Sequence, residues 1–141
     1  MKINSKKNLI MKNEDVKLLL LEDLKNCSSI VCIDREDVEK FDRCDVVVGK
    51  RIRTLTSQWV ERLVDEMKNL LKEQEVFDYL LLAIKTKMGN EICVGEMKDV
   101  FSRLGELIKV KDCRWGLLCD NGLGMDDIEI SILLGKDVKN G

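Results

Sequence analysis

Two apolar stretches near the end of the chain decide the fold: CRWGLLC at Cys113–Cys119 and IEISILL at Ile128–Leu134. The second stretch alternates apolar and polar residues almost strictly, which predicts a strand with one buried face and one wetter face. The loop between the two stretches reads DNGLGMDD. We therefore expect them to form a β-hairpin with a long tip.

Upstream of these strands, short apolar runs alternate with amphipathic stretches. Asp45–Gly49 and Tyr79–Ile84 predict buried strands, and the second of them is apolar enough to lie at the centre of its sheet. Apolar residues recur at three- and four-residue steps from Trp59 to Leu71 and from Met97 to Ile108, which predicts two helices. The order from residue 45 is β-α-β-α-β-β. It predicts an α/β two-layer sandwich, with a small mixed sheet that carries both helices on one face.

A further helix is expected ahead of the sandwich, over about residues 13–26. Its leucines Leu18–Leu21 point all round the helix axis, so it must be covered on more than one side, by its own domain or by a partner. An extended run at Ser29–Ile33 follows, and then a short helix with Asp34 as its cap. We divide the chain into a flexible arm (1–12), a helix with an acidic loop (13–44), the sandwich (45–135) and a tail (136–141).

The amino-acid composition limits the kinds of catalytic and binding site that the chain can form. The 141 residues include no His and no Pro, and 24 Lys and Arg stand against 26 Asp and Glu, for a net charge of −2. Without histidine, neither a Ser-His nor a Cys-His pair nor an imidazole metal site can form. Because the net charge is close to zero, the protein has no positive electrostatic field that would attract nucleic acid. We therefore predict no cofactor, no metal and no nucleic-acid partner.

The cysteines and the N-terminus indicate a cellular compartment. No two cysteines form a Cys-x-x-Cys pair, which argues against a zinc site. Neither an apolar secretion signal nor a run of 18 apolar residues occurs, so we predict a cytoplasmic protein without a membrane partner. Most cysteines fall in apolar runs and are expected to act as small hydrophobic residues; they are Cys27, Cys32, Cys44, Cys93, Cys113 and Cys119.

Two glycine-containing segments fail as phosphate-binding loops. Gly122–Gly124 lacks the third glycine of a dinucleotide fingerprint and is followed by a strand rather than a helix. After Gly49-Lys50, Arg51 stands where a P-loop needs Ser or Thr to bind magnesium. We interpret Lys50, Arg51 and Arg53 as a basic, solvent-exposed strand end.

The order and spacing of these segments resemble the C-terminal domain of the FtsZ branch of the tubulin superfamily. Arg114–Asp120 and Ile128–Gly135 are similar to the family's last two strands, and Val46–Gly49 is similar to its first C-terminal-domain strand. The resemblance covers roughly residues 14 to 135 and implies the same β-α-β-α-β-β fold. The Gly-Gly-Gly-Thr-Gly signature of the family's nucleotide-binding half does not occur in the sequence.

The segment CIDREDV also resembles a functional loop of the family. FtsZ proteins carry Asn-x-Asp-x-x-Asp after their central helix, and the resemblance implies that these carboxylates complete the GTPase site of a neighbouring subunit. Asp34 and Asp37 keep this spacing, whereas Cys32 replaces the Asn. The alternative is that Asp34 caps a helix while Asp37 stabilises its dipole. The change at Cys32 favours docking over catalysis.

The resemblance implies a non-enzymatic interaction module that docks on a polymerising tubulin-like GTPase and regulates its polymerisation. The partner-binding residues that follow from it are Asp34, Arg35, Asp37, Leu18 and Leu21. In the family the central helix is buried between two domains, and this sequence matches only one of them. We therefore expect Leu18–Leu21 to mediate either self-association or contact with a partner.

Two other functions are compatible with the sequence. Chorismate-mutase-like enzymes share the β-α-β-α-β-β scaffold and work as oligomers with sites at subunit interfaces. In such an enzyme or ligand-binding protein, Arg51, Arg53 or Arg114 would hold an anionic substrate. A purely structural dimer or scaffold is the third possibility.

Overall fold

The structure is a computed structural model, and it describes residues 13–71, 75–89, 92 and 94–137. The predicted arm (1–12), residues 138–141 of the predicted tail and Cys93 lie outside the described residues. Among the helices of the described part, none is long and apolar enough to cross a membrane.

Nine regular helices and strands and one short 3-10 helix follow one another along the described chain. In order, they are α1 (Asn13–Asn26), β1 (Ser28–Val31), α2 (Arg35–Glu39), the 3-10 helix (Lys40–Arg43), β2 (Cys44–Leu55), α3 (Trp59–Leu70), β3 (Glu75–Thr86), α4 (Val94–Leu104), β4 (Ile108–Cys119) and β5 (Asp127–Asp137). From β2 onward this is the predicted β-α-β-α-β-β order. The predicted fold class, with a helix ahead of the sandwich, is confirmed.

The five strands form one mixed sheet in the order β1-β4-β3-β5-β2. β3 lies between the last two strands, so that Ile84 pairs with Leu117 of β4 in parallel and with Ile130 of β5 in antiparallel. The predicted hairpin of β4 with β5 is therefore wrong. The apolar side chains of β3 are most completely buried when this strand lies at the centre of the sheet. The loop from β4 to β5 allows this arrangement, because it only has to cross one strand, a distance of about 10 Å.

Helices α3 and α4 cover one face of the sheet, as predicted, and form the larger core. The helices contribute apolar residues at three- and four-residue spacing, and β3 and β5 contribute every second residue. This core includes Trp59, Leu63, Met67, Met97, Val100, Leu104, Leu80, Leu82, Ile84, Ile130 and Ile132. Trp59 Nε1 also donates a hydrogen bond of 3.0 Å to Glu96 Oε2, which joins the two helices.

Helices α1 and α2 pack on the opposite face and form a second, smaller core. Val16, Leu20, Val38 and Phe41 meet strand residues that include Leu81, Ala83 and Leu133. The wetter face predicted for β5 is therefore wrong, because Ser131, on that face, is only 2% exposed. The alternation of β5 indicated an amphipathic strand, but α1 covers its polar side as well.

The predicted solvent-exposed strand end at Lys50, Arg51 and Arg53 is also wrong for two of its three residues. β2 pairs with β5 along its whole length, so helices on both faces reach these residues. Lys50 is buried and lies 3.1 Å from Glu66 of α3, measured from Nζ to Oε1. Arg51 points to the α1 side, where it is ion-paired, and only Arg53 is exposed.

Candidate interaction surface

The residues singled out by the family resemblance come together beside α1. A groove of about 520 Å³ runs between the outer side of this helix and the segment that leads from β1 into α2. We call it the α1 groove, and it is lined by Leu18, Leu21, Glu22, Leu24, Lys25, Ser29, Ile33, Asp34 and Arg35. Four of the five predicted partner-binding residues therefore line one surface.

The leucines of α1 divide between the core and this groove. Val16 and Leu20 are completely buried against the sheet, whereas Leu18 is 60% exposed. Leu21 and Leu24 are half-buried between the two environments. Helix α1, which has leucines all round its axis, thus packs against the sheet on one side and exposes apolar side chains on the other.

The acidic turn positions its two aspartates differently. Asp34 occupies the N-cap position of α2 with an extended backbone, and its N–H donates a hydrogen bond of 2.8 Å to Asp37 Oδ2. Asp37 Oδ1 also lies 3.9 Å from Arg114 Nε. The Asp37 carboxylate is thereby held within the chain, in the geometry of a helix cap.

Asp37, the fifth predicted residue, does not share the α1 groove with Asp34. It borders a separate depression of about 400 Å³, which is lined by Glu36, Asp37, Glu39, Lys40 and Arg43. Cys32, which stands where the family has Asn, is exposed. The two aspartates therefore do not converge on one pocket, as a pair that acts on the same water would have to do.

A buried set of charges fixes α1 on the sheet, and the sequence interpretation missed it. We call it the ionic cluster: Asp23 of α1, Arg51 of β2, Lys85 of β3 and Glu129 of β5. Arg51 Nη2 lies 2.8 Å from Asp23 Oδ2 and 2.6 Å from Glu129 Oε1. Lys85 Nζ lies 2.9 Å from Asp23 Oδ1 and 2.8 Å from Glu129 Oε1. All four side chains are between 8% and 18% exposed.

The contacts of the ionic cluster shift the pKa values of Glu129 and Lys85. Burial alone would raise the pKa of Glu129, but hydrogen bonds from Arg51 and Lys85 outweigh it and lower that pKa to about 2. Burial alone would lower the pKa of Lys85, but its bonds to Glu129 and Asp23 raise it. Both shifts favour the charged forms of Glu129 and Lys85.

A sequence signal for this cluster did exist. Lys85 directly follows the apolar run of β3, and Glu129 stands between two isoleucines of β5. Charges inside apolar strands are almost never buried without a partner of opposite sign. That rule predicts that Lys85 and Glu129 are paired, although it does not identify Asp23 as the helix residue that joins them.

The three cations considered for an anionic substrate are not brought together. Arg51 is bound by carboxylates in the ionic cluster. Arg53 lies on β2 and Arg114 on β4, and two strands, β5 and β3, separate these positions. The described residues also include no group of three or more Cys, Asp or Glu that could hold a metal ion.

Comparisons with solved structures identify the class of fold. FtsZ from M. jannaschii, in an empty dimer, matches 82% of this chain with a TM-score of 0.58 at 12% identity. A tryptophan-to-tyrosine variant of M. jannaschii FtsZ matches 83% with a TM-score of 0.58 at 10% identity. CetZ1 from Haloferax volcanii, a GDP-bound monomer, matches 77% with a TM-score of 0.52 at 13% identity.

These likenesses confirm the predicted resemblance to the FtsZ/tubulin superfamily at the level of the fold. The chain spans only 34 to 36% of the length of the matched FtsZ and CetZ chains. No protein-family model matches the sequence, and no curated protein sequence does either.

Proposed function

We propose that this chain is a non-enzymatic interaction module that resembles the C-terminal domain of FtsZ and docks on a polymerising tubulin-like GTPase through the α1 groove. One observation carries the proposal. Leu18, Leu21, Asp34 and Arg35, which the family resemblance singled out, line the same groove. Exposed apolar residues with charged residues at their rim are the usual composition of a protein-binding patch.

The resemblance also supports a way in which docking would regulate polymerisation. Head-to-tail assembly continues only when every subunit offers two different faces. This chain has the acidic-loop segment of one face, and its sequence contains no Gly-Gly-Gly-Thr-Gly signature for the other. The 141 residues, bound by themselves at a filament end, would therefore offer the next subunit no segment with this signature.

Docking fits the geometry of the acidic turn better than catalysis does. The Asp37 carboxylate caps α2 and faces Arg114, so its use in a partner's nucleotide pocket would break both interactions. Asp34 alone faces the α1 groove. One exposed carboxylate suffices for a contact at an interface rim, whereas positioning a water for attack on a phosphate requires a defined constellation.

We place this activity in the cytoplasm. The described cysteines Cys27, Cys32, Cys44, Cys113 and Cys119 form no disulfides. Free thiols are what a reducing compartment maintains.

Polymerisation of a cognate FtsZ, followed by light scattering, tests the proposal. Added wild-type protein should lower the scattering amplitude, and Leu18→Glu should lose this effect because it places a charge in the α1 groove. Met88→Glu is the matched control, because Met88 is 59% exposed and lies outside the groove. An unchanged polymerisation curve at stoichiometric excess of the wild-type protein would refute docking.

GTP turnover by the same partner separates docking from catalysis. A docking module should not increase turnover per polymerised subunit, and Asp34→Asn and Asp37→Asn should leave turnover as it is with the wild-type protein. An increase with the wild-type protein that disappears in either variant would show that the aspartates act on the partner's nucleotide.

A further inference from the structure

The α1 groove combines an exposed apolar side chain with an apolar depression next to it. Leu18 projects at one end of the groove and is 60% exposed. Leu21, Leu24 and Ile33 provide apolar surface inside it. Leu18 and the apolar depression belong to the same face of the protein. Two copies related by a two-fold axis can therefore each place Leu18 against the depression of the other.

The charges at the rim of the groove support such self-complementarity. Glu22 and Lys25 have opposite signs and lie one turn apart on the exposed side of α1. Among the described residues, no side-chain hydrogen bond or ion pair involves either of them. Two other charges of α1 are paired within the chain: Lys17 with Asp42, and Asp23 within the ionic cluster.

We propose that a second copy of this chain occupies the α1 groove and forms a two-fold dimer with antiparallel α1 helices. With the axis between residues 23 and 24, Glu22 of each copy faces Lys25 of the other. In the same register Leu18 lies about 6 Å beyond Lys25 of the other copy along the helix axis, toward the Ser29 end of the opposite groove. Both apolar surfaces are then covered, and both rim charges find partners.

This dimer uses the surface that was proposed for docking but does not depend on it. A second copy can occupy the groove whether or not any GTPase binds there. If both proposals hold, the dimer must dissociate before docking, so a GTPase competes with self-association. The experiments below contain no GTPase, and their outcome is therefore independent of the docking assay.

Sedimentation equilibrium of the full chain over a range of concentrations tests the dimer. The wild-type protein and Met88→Glu should fit a monomer–dimer equilibrium with the same Kd. Leu18→Glu should raise this Kd about tenfold or more, the usual effect of losing a central apolar contact. Circular dichroism should show that all three proteins are folded. A monomeric wild-type protein at the highest concentration would overturn the proposal, as would an equal loss of dimer in Met88→Glu.

A charge exchange tests the antiparallel register in the same assay. Glu22→Lys should weaken the dimer, because it places two positive charges opposite each other at each end of the contact. The double variant Glu22→Lys, Lys25→Glu should restore the wild-type Kd to within about threefold, because each pair is only reversed. If the double variant is as weak as the single one, the proposed register is wrong.

Discussion

The two faces of the sheet are built from different kinds of interaction. The face under α3 and α4 is apolar along its whole length, from Phe77 to Ile84 on β3. The face under α1 is apolar at Leu81 and Leu133, but the ionic cluster with Lys85 and Glu129 lies further along the same strands. The α3/α4 layer is therefore held mainly by packing, with the Lys50–Glu66 ion pair as a charged contact between α3 and the sheet. By contrast, α1 is held both by packing against Leu81 and Leu133 and by the ionic cluster.

The difference indicates how each layer is positioned. Apolar contacts are strong but non-directional. Ion pairs between 2.6 and 2.9 Å require defined distances and angles, and Asp23 meets both cations of the ionic cluster at once. We infer that the α3/α4 face contributes most of the stability, while the ionic cluster determines where α1, and with it the α1 groove, lies on the sheet.

The strongest test of this comparison is a cavity in the larger core. Leu82→Ala should lower the free energy of unfolding by about 2–5 kcal/mol, because Leu82 is completely buried in the middle of β3. Urea denaturation followed by circular dichroism measures the loss. A loss below about 1 kcal/mol would mean that packing on this face matters less than its burial indicates.

Breaking the ionic cluster should have a smaller effect. Glu129→Gln keeps the side-chain shape but removes the charge that faces Arg51 and Lys85, while Asp23 still compensates both cations. We expect a loss of about 1–3 kcal/mol at pH 7, also by urea denaturation. The exposed variant Glu106→Gln is the control and should change stability by less than about 0.5 kcal/mol. Equal stability of Glu129→Gln and the wild-type protein would show that the cluster does not stabilise the fold.

The same carboxylate predicts a dependence on pH. The pKa of Glu129 is about 2 in the folded chain, against an ordinary value of 4.5. A lowered pKa stabilises the folded state above the ordinary value, and this stabilisation is lost as pH falls from about 4.5 to about 2. Unfolding measured over this range should therefore bring the wild-type protein and Glu129→Gln closer together as pH falls. A constant difference between them would contradict the lowered pKa.

The smallest expected effects on stability concern the N-terminal cap of α2, the helix that packs on the same face of the sheet as α1. Asp37→Ala removes the acceptor for the Asp34 N–H and should cost about 0.5–2 kcal/mol. Asp34→Asn should be nearly neutral, because Asn suits an N-cap position about as well as Asp. Thermal unfolding of the two variants distinguishes them, and a larger loss in Asp34→Asn would reverse the assigned roles.

Local patterns predicted the elements of this fold but not all of their neighbours. The steps of three and four residues in α3 and α4 reveal one buried stripe each, and the order from β2 to β5 follows from such periods. The position of β3 between β4 and β5 cannot be derived from these periods, because strand pairing depends on contacts between residues that are distant in sequence. Because β4 and β5 follow one another directly along the chain, the sequence suggested a hairpin. The structure instead places the apolar strand β3 between them, where β3 is most buried.

The sequence likewise predicted some features of the candidate site and not others. The spacing of Asp34 and Asp37 and the exposed leucines of α1 were visible in the sequence, and most of these residues line one groove. A capping role for this pair was one of the two alternatives that the sequence left open, but the sequence did not reveal that the Asp37 carboxylate also faces Arg114. The cap follows from the local spacing of the two aspartates, whereas the contact with Arg114 joins α2 to β4, which lie far apart in the chain.

By itself, the sequence determined the helices and strands, their order and the exclusion of histidine chemistry, because these depend on composition and on short-range periodicity. Only the tertiary structure decided that Lys50 is buried, that the Arg51 side chain is only 8% exposed and that the polar side of β5 is covered. It also brought Asp23 together with Arg51, Lys85 and Glu129. The physical reason is that the cost of a buried charge depends on its partners. Those partners come from four elements far apart in the chain, and only folding brings them within hydrogen-bond distance.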